Sequence, residues 1–125
     1  MNNNLEKTLE YQTLLQYFPG GELDELGPIV EQMMEAEDDF TAEIVGMEFR
    51  FIHADNIAYI YFEEQKEFIE DNELFKVPSY VEIDWDATIN YIQRTDGYGH
   101  FFASYDSEEG LDEFGDNEYY LFRIN

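Results

Sequence analysis

The apolar residues in the first third of the chain recur at helical spacing and predict two helices. Leucines repeat roughly every four residues over positions 4–17, which indicates a first helix. The Pro19–Gly21 segment ends this helix, because proline and glycine together interrupt regular structure. A second helical period follows. Pro28 fits only the first turn of a helix, so we predict a short turn and then a helix over positions 27–38.

The pattern changes to β-branched and aromatic residues after position 40. Positions 41–45, 48–54 and 57–62 are rich in such residues and are predicted to be strands. The pair Asp55-Asn56 favours a turn between the last two of these segments. We therefore predict a β-hairpin over positions 48–62.

Two further helices are predicted beyond this hairpin. Positions 63–75 return to a helical period, with Phe62, Phe68 and Ile69 facing inward. Pro78 prevents this helix from continuing. Asp84 is then a favourable N-cap for a short amphipathic helix, whose apolar positions are Trp85, Ile89 and Ile92.

The chain is predicted to close with two aromatic strands, over positions 100–105 and 118–124, joined by a very acidic loop. Neither an internal repeat nor a linker rich in Pro, Gly or Ser divides the sequence. We therefore predict one small α+β domain over residues 1–125. It should have an antiparallel sheet of about four or five strands and about three or four helices.

The charge balance limits the functions that the protein can have. The chain has 30 Asp and Glu against 6 Lys and Arg, for a formal net charge of −24, yet 44% of its residues are hydrophobic and 18% aromatic. This apolar content favours a folded core over an acidic disordered segment. A surface this negative repels phosphate, so direct binding to nucleic acid or to an anionic membrane is disfavoured.

Other features exclude whole classes of site. The chain lacks cysteine, which rules out a disulfide framework, a thiolate metal site and a cysteine nucleophile. The polar N-terminus lacks the pattern of a secretory signal, and no apolar run approaches the ~20 residues of a membrane helix. We therefore expect a protein of the host cell cytoplasm with no membrane partner.

The acidic residues fall into three groups, and we predict that all three bind a partner. The first group contains Glu22, Asp24, Glu25, Glu31, Glu35, Glu37, Asp38 and Asp39, and the last five of these are predicted contacts. The second, on the helix predicted at positions 63–75, contains Glu63, Glu64, Glu67, Glu70, Asp71 and Glu73. The third, around the predicted acidic loop, contains Asp106, Glu108, Glu109, Asp112, Glu113, Asp116 and Glu118, and all of these except Glu118 are predicted contacts.

The spacing of the second group carries an energetic penalty that calls for an explanation. Glu63, Glu67 and Glu70 lie at i, i+4 and i+7, and each like-charge pair ~5–6 Å apart destabilises a helix by a few tenths of a kcal/mol. Phosphates follow one another along each DNA strand with a rise of ~3.4 Å, and their direct separation is wider. Carboxylates one helical turn apart therefore approximate a row of phosphates.

The repulsion between these glutamates is explained if the protein mimics DNA. Such a protein would occupy the basic DNA-binding cleft of another protein, because the Arg and Lys side chains that position DNA would bind the carboxylates instead. We predict an inhibitor without catalytic activity, acting on a host defence nuclease such as a restriction enzyme or a CRISPR effector. The sequence leaves the oligomeric state open, including a homodimer.

The negative charge has two other interpretations. Solubility alone requires a net charge of magnitude only ~2–8 for a small domain, and this chain exceeds that range about threefold. An acidic binding or immunity module for a basic protein that is not a nuclease is the alternative function. Competition with duplex DNA would separate it from a mimic.

Candidates for catalysis or metal binding are few. His53 and His100 are the only imidazoles, and neither has a Ser or Asp partner at a recognisable spacing. With so many acidic residues, a close carboxylate pair has no specificity as a sign of glycoside hydrolysis. The stretch from Asp106 to Glu118 is rich in oxygen ligands but departs from the EF-hand pattern. We therefore predict no cofactor and no metal site.

The C-terminal third resembles a known type of inhibitor. Ile83-Asp84-Trp85-Asp86-Ala87-Thr88 leads into a short helix, and Tyr119-Tyr120-Leu121-Phe122-Arg123 closes the chain. These segments are similar to the acidic, aromatic helix entry and the aromatic-x-Phe-Arg ending of ArdA-type antirestriction proteins of plasmids and phages. The resemblance implies an inhibitor of DNA-handling defence machinery, such as a type I restriction enzyme. Phage inhibitors of CRISPR effectors are similar in size and often in acidity.

Overall fold

The computed structural model describes residues 3–125 and confirms a small α+β domain built on one antiparallel sheet. Its helices are a 3-10 helix over Asn3–Lys7, α1 over Leu9–Tyr17, α2 over Leu23–Met34, α3 over Ile57–Asp71, α4 over Trp85–Asp96 and α5 over Gly99–Phe102. Its strands are β1 over Asp39–Ile44, β2 over Met47–His53, β3 over Gly110–Phe114 and β4 over Asn117–Arg123. The strand order is β1-β2-β4-β3, and each neighbouring pair is antiparallel.

The sheet buries apolar side chains on both faces. Phe40, Phe51 and Tyr119 pack with the 3-10 helix, α1 and α2 in one core cluster. Ile52 and Phe122, which alternate with these residues along the strands, pack with α3, α4 and α5 in a second cluster. Each fully buried side chain of this size contributes ~1.5–3 kcal/mol. The molecule thus has three layers, with the sheet in the middle.

The first two helices differ in detail from the sequence prediction. The helix predicted over positions 4–17 is divided, because the Thr8 hydroxyl accepts the Tyr11 N–H and starts α1 after the 3-10 helix. The predicted start of the second helix at position 27 is wrong, since α2 begins at Leu23 and encloses Pro28. Pro28 is exposed, so its ring displaces no core side chain. The predicted end at position 38 is also wrong, because Ala36 has a positive φ of 56°.

The predicted hairpin over positions 48–62 is wrong in its second half. Positions 57–62 form the start of α3, because Ile57 and Tyr61 lie at i, i+4 and both enter the second core cluster. Tertiary burial here overrides the β propensity of the segment. The hairpin joins β1 to β2 instead, through Val45 and Gly46. Both have positive φ, as a two-residue hairpin turn of the type I′ family requires.

The same helix differs from prediction at its C-terminal end. It ends at Asp71 and not at position 75. Ile69 is buried as predicted, but Phe68 is 48% exposed. Asp84, by contrast, is confirmed as an N-cap, since its carboxylate accepts the Ala87 N–H at 3.1 Å.

The prediction of a strand over positions 100–105 is also wrong. Phe102 belongs to α5, and both Phe102 and Ala103 are buried in the second core cluster. The predicted acidic loop contains β3 instead, which pairs with β4 and leaves Glu113 exposed. Of the side chains on β3, only that of Phe114 is buried, so this edge strand lacks the apolar alternation on which the prediction relied.

Candidate partner-binding surface

An acidic row follows the outer side of α3. Glu63, Glu67 and Glu70 are exposed, and at 3.6 residues per turn they lie along one side of the helix, opposite buried Tyr61 and Ile69. We call these three residues the α3 row. Asp71 and Glu73 continue the negative charge beyond it, and both are exposed. The structure therefore places this predicted helix face on the surface.

The position of the row within the helix adds to the loss of stability that repulsion between its carboxylates causes. The C-terminal end of an α-helix carries a partial negative charge, and acidic residues in the last turn are unfavourable. Glu70 and Asp71 lie in the last turn of α3, which contains no basic residue. The first acidic group has a similar position, since Glu31 lies in the last turn of α2 and Glu35 is its C-cap. Two of the three groups thus gather at helix C-termini.

Arg50 on β2 forms ion pairs with two of the predicted binding residues. Its guanidinium donates to Asp39 (Nε–Oδ1 2.8 Å) and to Glu64 (Nη1–Oε1 3.0 Å) and lies 5.0 Å from the Phe102 ring centroid. Hydrogen bonds from Arg50 to Asp39 and then to Glu64 raise the pKa of Arg50 above its usual value, against the opposing effect of burial. These two carboxylates therefore have a structural partner within the fold.

The C-terminal end of α2 meets the β3–β4 turn at one end of the sheet. The Asn117 amide donates to the Met33 carbonyl at 3.0 Å, and the Tyr119 hydroxyl donates to the Glu37 carbonyl at 2.6 Å. The Asn56 amide donates to the Asp38 carboxylate at 2.6 Å, and the Ala54 N–H donates to the Glu118 carbonyl at 2.8 Å. These bonds bring together the exposed acids Glu37, Asp38, Asp55, Asp116 and Glu118, which we call the acidic sheet end.

The third predicted group does not form one surface. Asp106, Glu108 and Glu109 precede β3, whereas Asp116 follows it, and the five residues of β3 separate them by ~17 Å. Glu109 accepts the N–H groups of Tyr98 and Gly99 at 3.1 and 3.2 Å. Asp112 is half-buried and accepts the Tyr17 hydroxyl at 3.1 Å. These two carboxylates, like Asp39 and Glu64, have structural partners.

Both hairpins place glutamates directly opposite each other. Glu43 of β1 is in register with Glu48 of β2, and Glu113 of β3 is in register with Glu118 of β4. Like charges directly opposite across an antiparallel pair are destabilising. Repulsion is therefore a feature of the sheet as well as of α3.

Few cations compensate for this charge. Within residues 3–125, the Lys or Arg ion pairs with carboxylates are those of Arg50 with Asp39 and with Glu64. Lys66 lies over the Trp85 ring at 5.5 Å, and Arg123 lies over the Tyr105 ring at 3.7 Å. The α3 row thus has no ion pair with another part of the described chain.

The two histidines do not form a catalytic pair. His53 is buried against Tyr119 in the α2-facing layer, where its ring accepts the Asp55 N–H and bonds to the Asn117 amide oxygen. His100 is exposed on α5, on the other side of the sheet. Among the residues that the structure describes, no group of three or more His, Asp or Glu side chains is arranged to hold a metal ion. No helix of residues 3–125 has the length and apolar character to cross a membrane.

Two members of the acidic sheet end are not among the predicted binding residues. Asp55 fits a hairpin turn, and Glu118, although it belongs to the third acidic group, fits the start of a strand. Both become neighbours of Glu37 and Asp38 only through pairing between residues far apart in the chain. The one sequence signal for Asp55 and Glu118 is that both lie next to the ends of predicted strands.

Comparisons of the chain with protein-family models, with curated proteins and with solved structures gave no match. The resemblance of the C-terminal third to ArdA-type antirestriction proteins therefore stays a prediction.

Proposed function

We propose that this protein is a DNA-mimic inhibitor that acts in the host cell cytoplasm by occupying the basic DNA-binding surface of a host defence nuclease. The observation that carries the proposal is the α3 row, three exposed glutamates on one side of a helix that has no basic residue in its last turn. The acidic sheet end extends the same charge from the N-terminal end of α3.

This arrangement of acidic residues lowers the stability of the fold. Each like pair on α3 and each opposed pair in the hairpins contributes a few tenths of a kcal/mol of repulsion, and the helix dipole adds to it. Proteins retain such features when function requires them, and functional sites are where local rules of stability are most often broken.

The spacing supports the imitation of a phosphate row. Successive members of the α3 row are separated by ~6 Å and ~4.5 Å along the helix axis, given a rise of 1.5 Å per residue. A nuclease cleft lined with Arg and Lys would meet carboxylates at intervals similar to those of a DNA strand. Such an interface would be steered by charge and weakened by salt.

An acidic binding module for a basic protein that is not a nuclease is the second candidate. The exposed apolar residues Leu74, Tyr80 and Val81 favour it, because a polynucleotide backbone has no counterpart to them and apolar patches mark contacts between proteins. This module would not need to be displaced by DNA.

Capture and competition test the proposal. The immobilised protein is incubated with host lysate, the retained proteins are identified, and duplex DNA is added. The proposal expects that a nuclease is retained. DNA should then release this nuclease at concentrations near the Kd of the nuclease for DNA. Retention of a basic protein that DNA does not release would support the second candidate instead.

A charge-reversal variant with a matched control locates the surface. Glu63→Lys, Glu67→Lys and Glu70→Lys together should weaken binding of the captured nuclease by about 100-fold or more, because charge pairs within such an interface couple strongly. The same reversal of exposed Glu6, Glu22 and Glu43 changes the net charge equally and should weaken binding much less. Equal losses in both variants would mean that bulk charge, and not the α3 row, mediates binding.

A further inference from the structure

An open cavity of about 430 Å³ lies where the C-terminal end of α3 meets the start of α4. Phe75 and Trp85 stack beside it, with ring centroids 6.3 Å apart and planes inclined by 24°. Ile69, Val77 and Ile83 complete its apolar wall. The segment between the two helices has no regular secondary structure and leaves Leu74 54% and Tyr80 86% exposed.

The rim of this cavity continues the α3 row. Glu70, the last member of the row, and Glu73 both line the cavity. An apolar and aromatic floor with two carboxylates at its edge suits a side chain that is apolar along its stem and cationic at its tip. A second copy of this chain, with a net charge of −24, is an unsuitable occupant.

Arginine fits these walls better than lysine. Its methylene stem covers apolar surface, its planar guanidinium stacks on aromatic rings, and its fork of donors matches carboxylates. The Trp85 ring already attracts a cation, since the Lys66 ammonium lies 5.5 Å from its centroid. Lys76 also lines the cavity, and its positive charge repels an arginine that enters.

We propose that this cavity binds an arginine side chain of the basic partner, with the stem between Phe75 and Val77 and the guanidinium at Glu70 and Glu73. The inference rests on the proposed function only in requiring a basic protein as the partner. It adds a specific anchor to an interface otherwise held by charge, and it explains why apolar residues are exposed beside the α3 row. Buried anchors of this kind contribute a large share of affinity in protein interfaces.

Trp85 supplies the test, because it is the single tryptophan of the chain. Its fluorescence is followed while a short capped peptide of glycine and arginine is added to the full-length protein, and matched peptides carry lysine or leucine in place of arginine. The arginine peptide should produce a saturable change and bind at least about threefold more tightly than the lysine peptide. A leucine peptide that binds equally well would overturn the assignment to arginine and indicate an apolar anchor.

Three variants make the test specific. Glu70→Gln with Glu73→Gln should weaken arginine-peptide binding about tenfold, roughly threefold for each exposed pair removed. Glu6→Gln with Glu43→Gln removes the same charge at exposed positions of the 3-10 helix and β1 and should change binding less than twofold. Lys76→Gln should tighten binding. The proposal is overturned if the first two variants behave alike, or if no saturable change occurs with the arginine peptide.

The outcome is independent of the proposed function, because the assay contains neither DNA nor a nuclease. If DNA displaces the captured nuclease but Trp85 does not respond to the arginine peptide, the cavity assignment alone fails. If the cavity selects arginine but DNA displaces no partner, the mimic proposal fails and the assignment of the cavity stands.

Discussion

Arg50 and Glu64 form a bidentate ion pair that joins the central strand β2 to the middle of α3, with Nη1–Oε1 and Nη2–Oε2 distances of 3.0 and 2.5 Å. The same guanidinium binds Asp39 at the start of β1. One cation therefore pairs with two carboxylates that the sequence predicts to bind a partner. In a chain with so few cations, this pair is a structural element.

Replacement of Arg50 is expected to destabilise the protein. Arg50→Met should lower the free energy of unfolding by about 2 kcal/mol, between the values for exposed and for buried ion pairs, because Asp39 and Glu64 lose their partner. Urea denaturation measures the change. The matched control is Arg94→Met, since Arg94 is exposed and has no ion pair within residues 3–125. Equal effects of the two substitutions would contradict the structural role of Arg50.

Reversal of charge at the end of α3 is expected to stabilise the protein. Glu67→Lys with Glu70→Lys removes like-charge repulsion and places cations at the negative end of the helix dipole, which should raise the free energy of unfolding by about 0.5–1 kcal/mol. Urea denaturation again gives the value, and binding of the captured nuclease should fall in the same variant. A loss of stability would show that these glutamates support the fold and are not retained for a partner.

Added salt is expected to stabilise the wild-type protein. Repulsion between exposed carboxylates is screened as the Debye length falls from about 30 Å at 0.01 M to about 3 Å at 1 M ionic strength. The melting temperature should therefore rise across this range, and should rise less for the Glu67→Lys, Glu70→Lys variant. A melting temperature that is independent of salt would argue against strong repulsion within the fold.

Alkaline pH is expected to destabilise the protein through buried Tyr119. Burial, with the charges of Glu37 and Asp38 adding to it, raises the pKa of Tyr119 to about 12. Tyrosine in an unfolded chain titrates near 10, so the unfolded state loses its proton first. The stabilising contribution is therefore complete below about pH 10 and is lost as the pH rises to about 12.

The variant Tyr119→Phe isolates this effect. It should lower the free energy of unfolding at neutral pH by about 1 kcal/mol, because the hydrogen bond to the Glu37 carbonyl is lost. It should also reduce the alkaline loss of stability. Tyr80→Phe, at an exposed position, should change neither quantity. Alkaline unfolding that is unchanged in Tyr119→Phe would contradict the assignment of this effect to Tyr119.

The sequence predicts those parts of the fold that depend on local chemistry. The helix N-cap at Asp84 and the α+β class with one antiparallel sheet follow from short-range pattern. The strand predicted over positions 57–62 failed because aromatic and β-branched residues also fit a buried helix face, and only the second core cluster decides between them. Strand β3 was missed because an acidic edge strand carries little apolar alternation.

The acidic surface was likewise predictable only where it depends on spacing along the chain. Helical spacing alone places Glu63, Glu67 and Glu70 on one side of α3. The internal partners of Glu64 and Asp112 lie 14 and 95 residues away in the chain, so no local pattern reveals that these two carboxylates are engaged. The acidic sheet end likewise depends on pairing between distant strands.

Mutual exclusion between this protein and DNA tests the central claim most directly. The affinity of the captured nuclease for a labelled duplex is measured at increasing concentrations of the protein. A phosphate mimic predicts that the apparent Kd for DNA rises in proportion to the concentration of the protein, without reaching a plateau, and that no complex contains both. An apparent Kd that levels off, or a stable complex that contains DNA, nuclease and this protein together, would contradict the account.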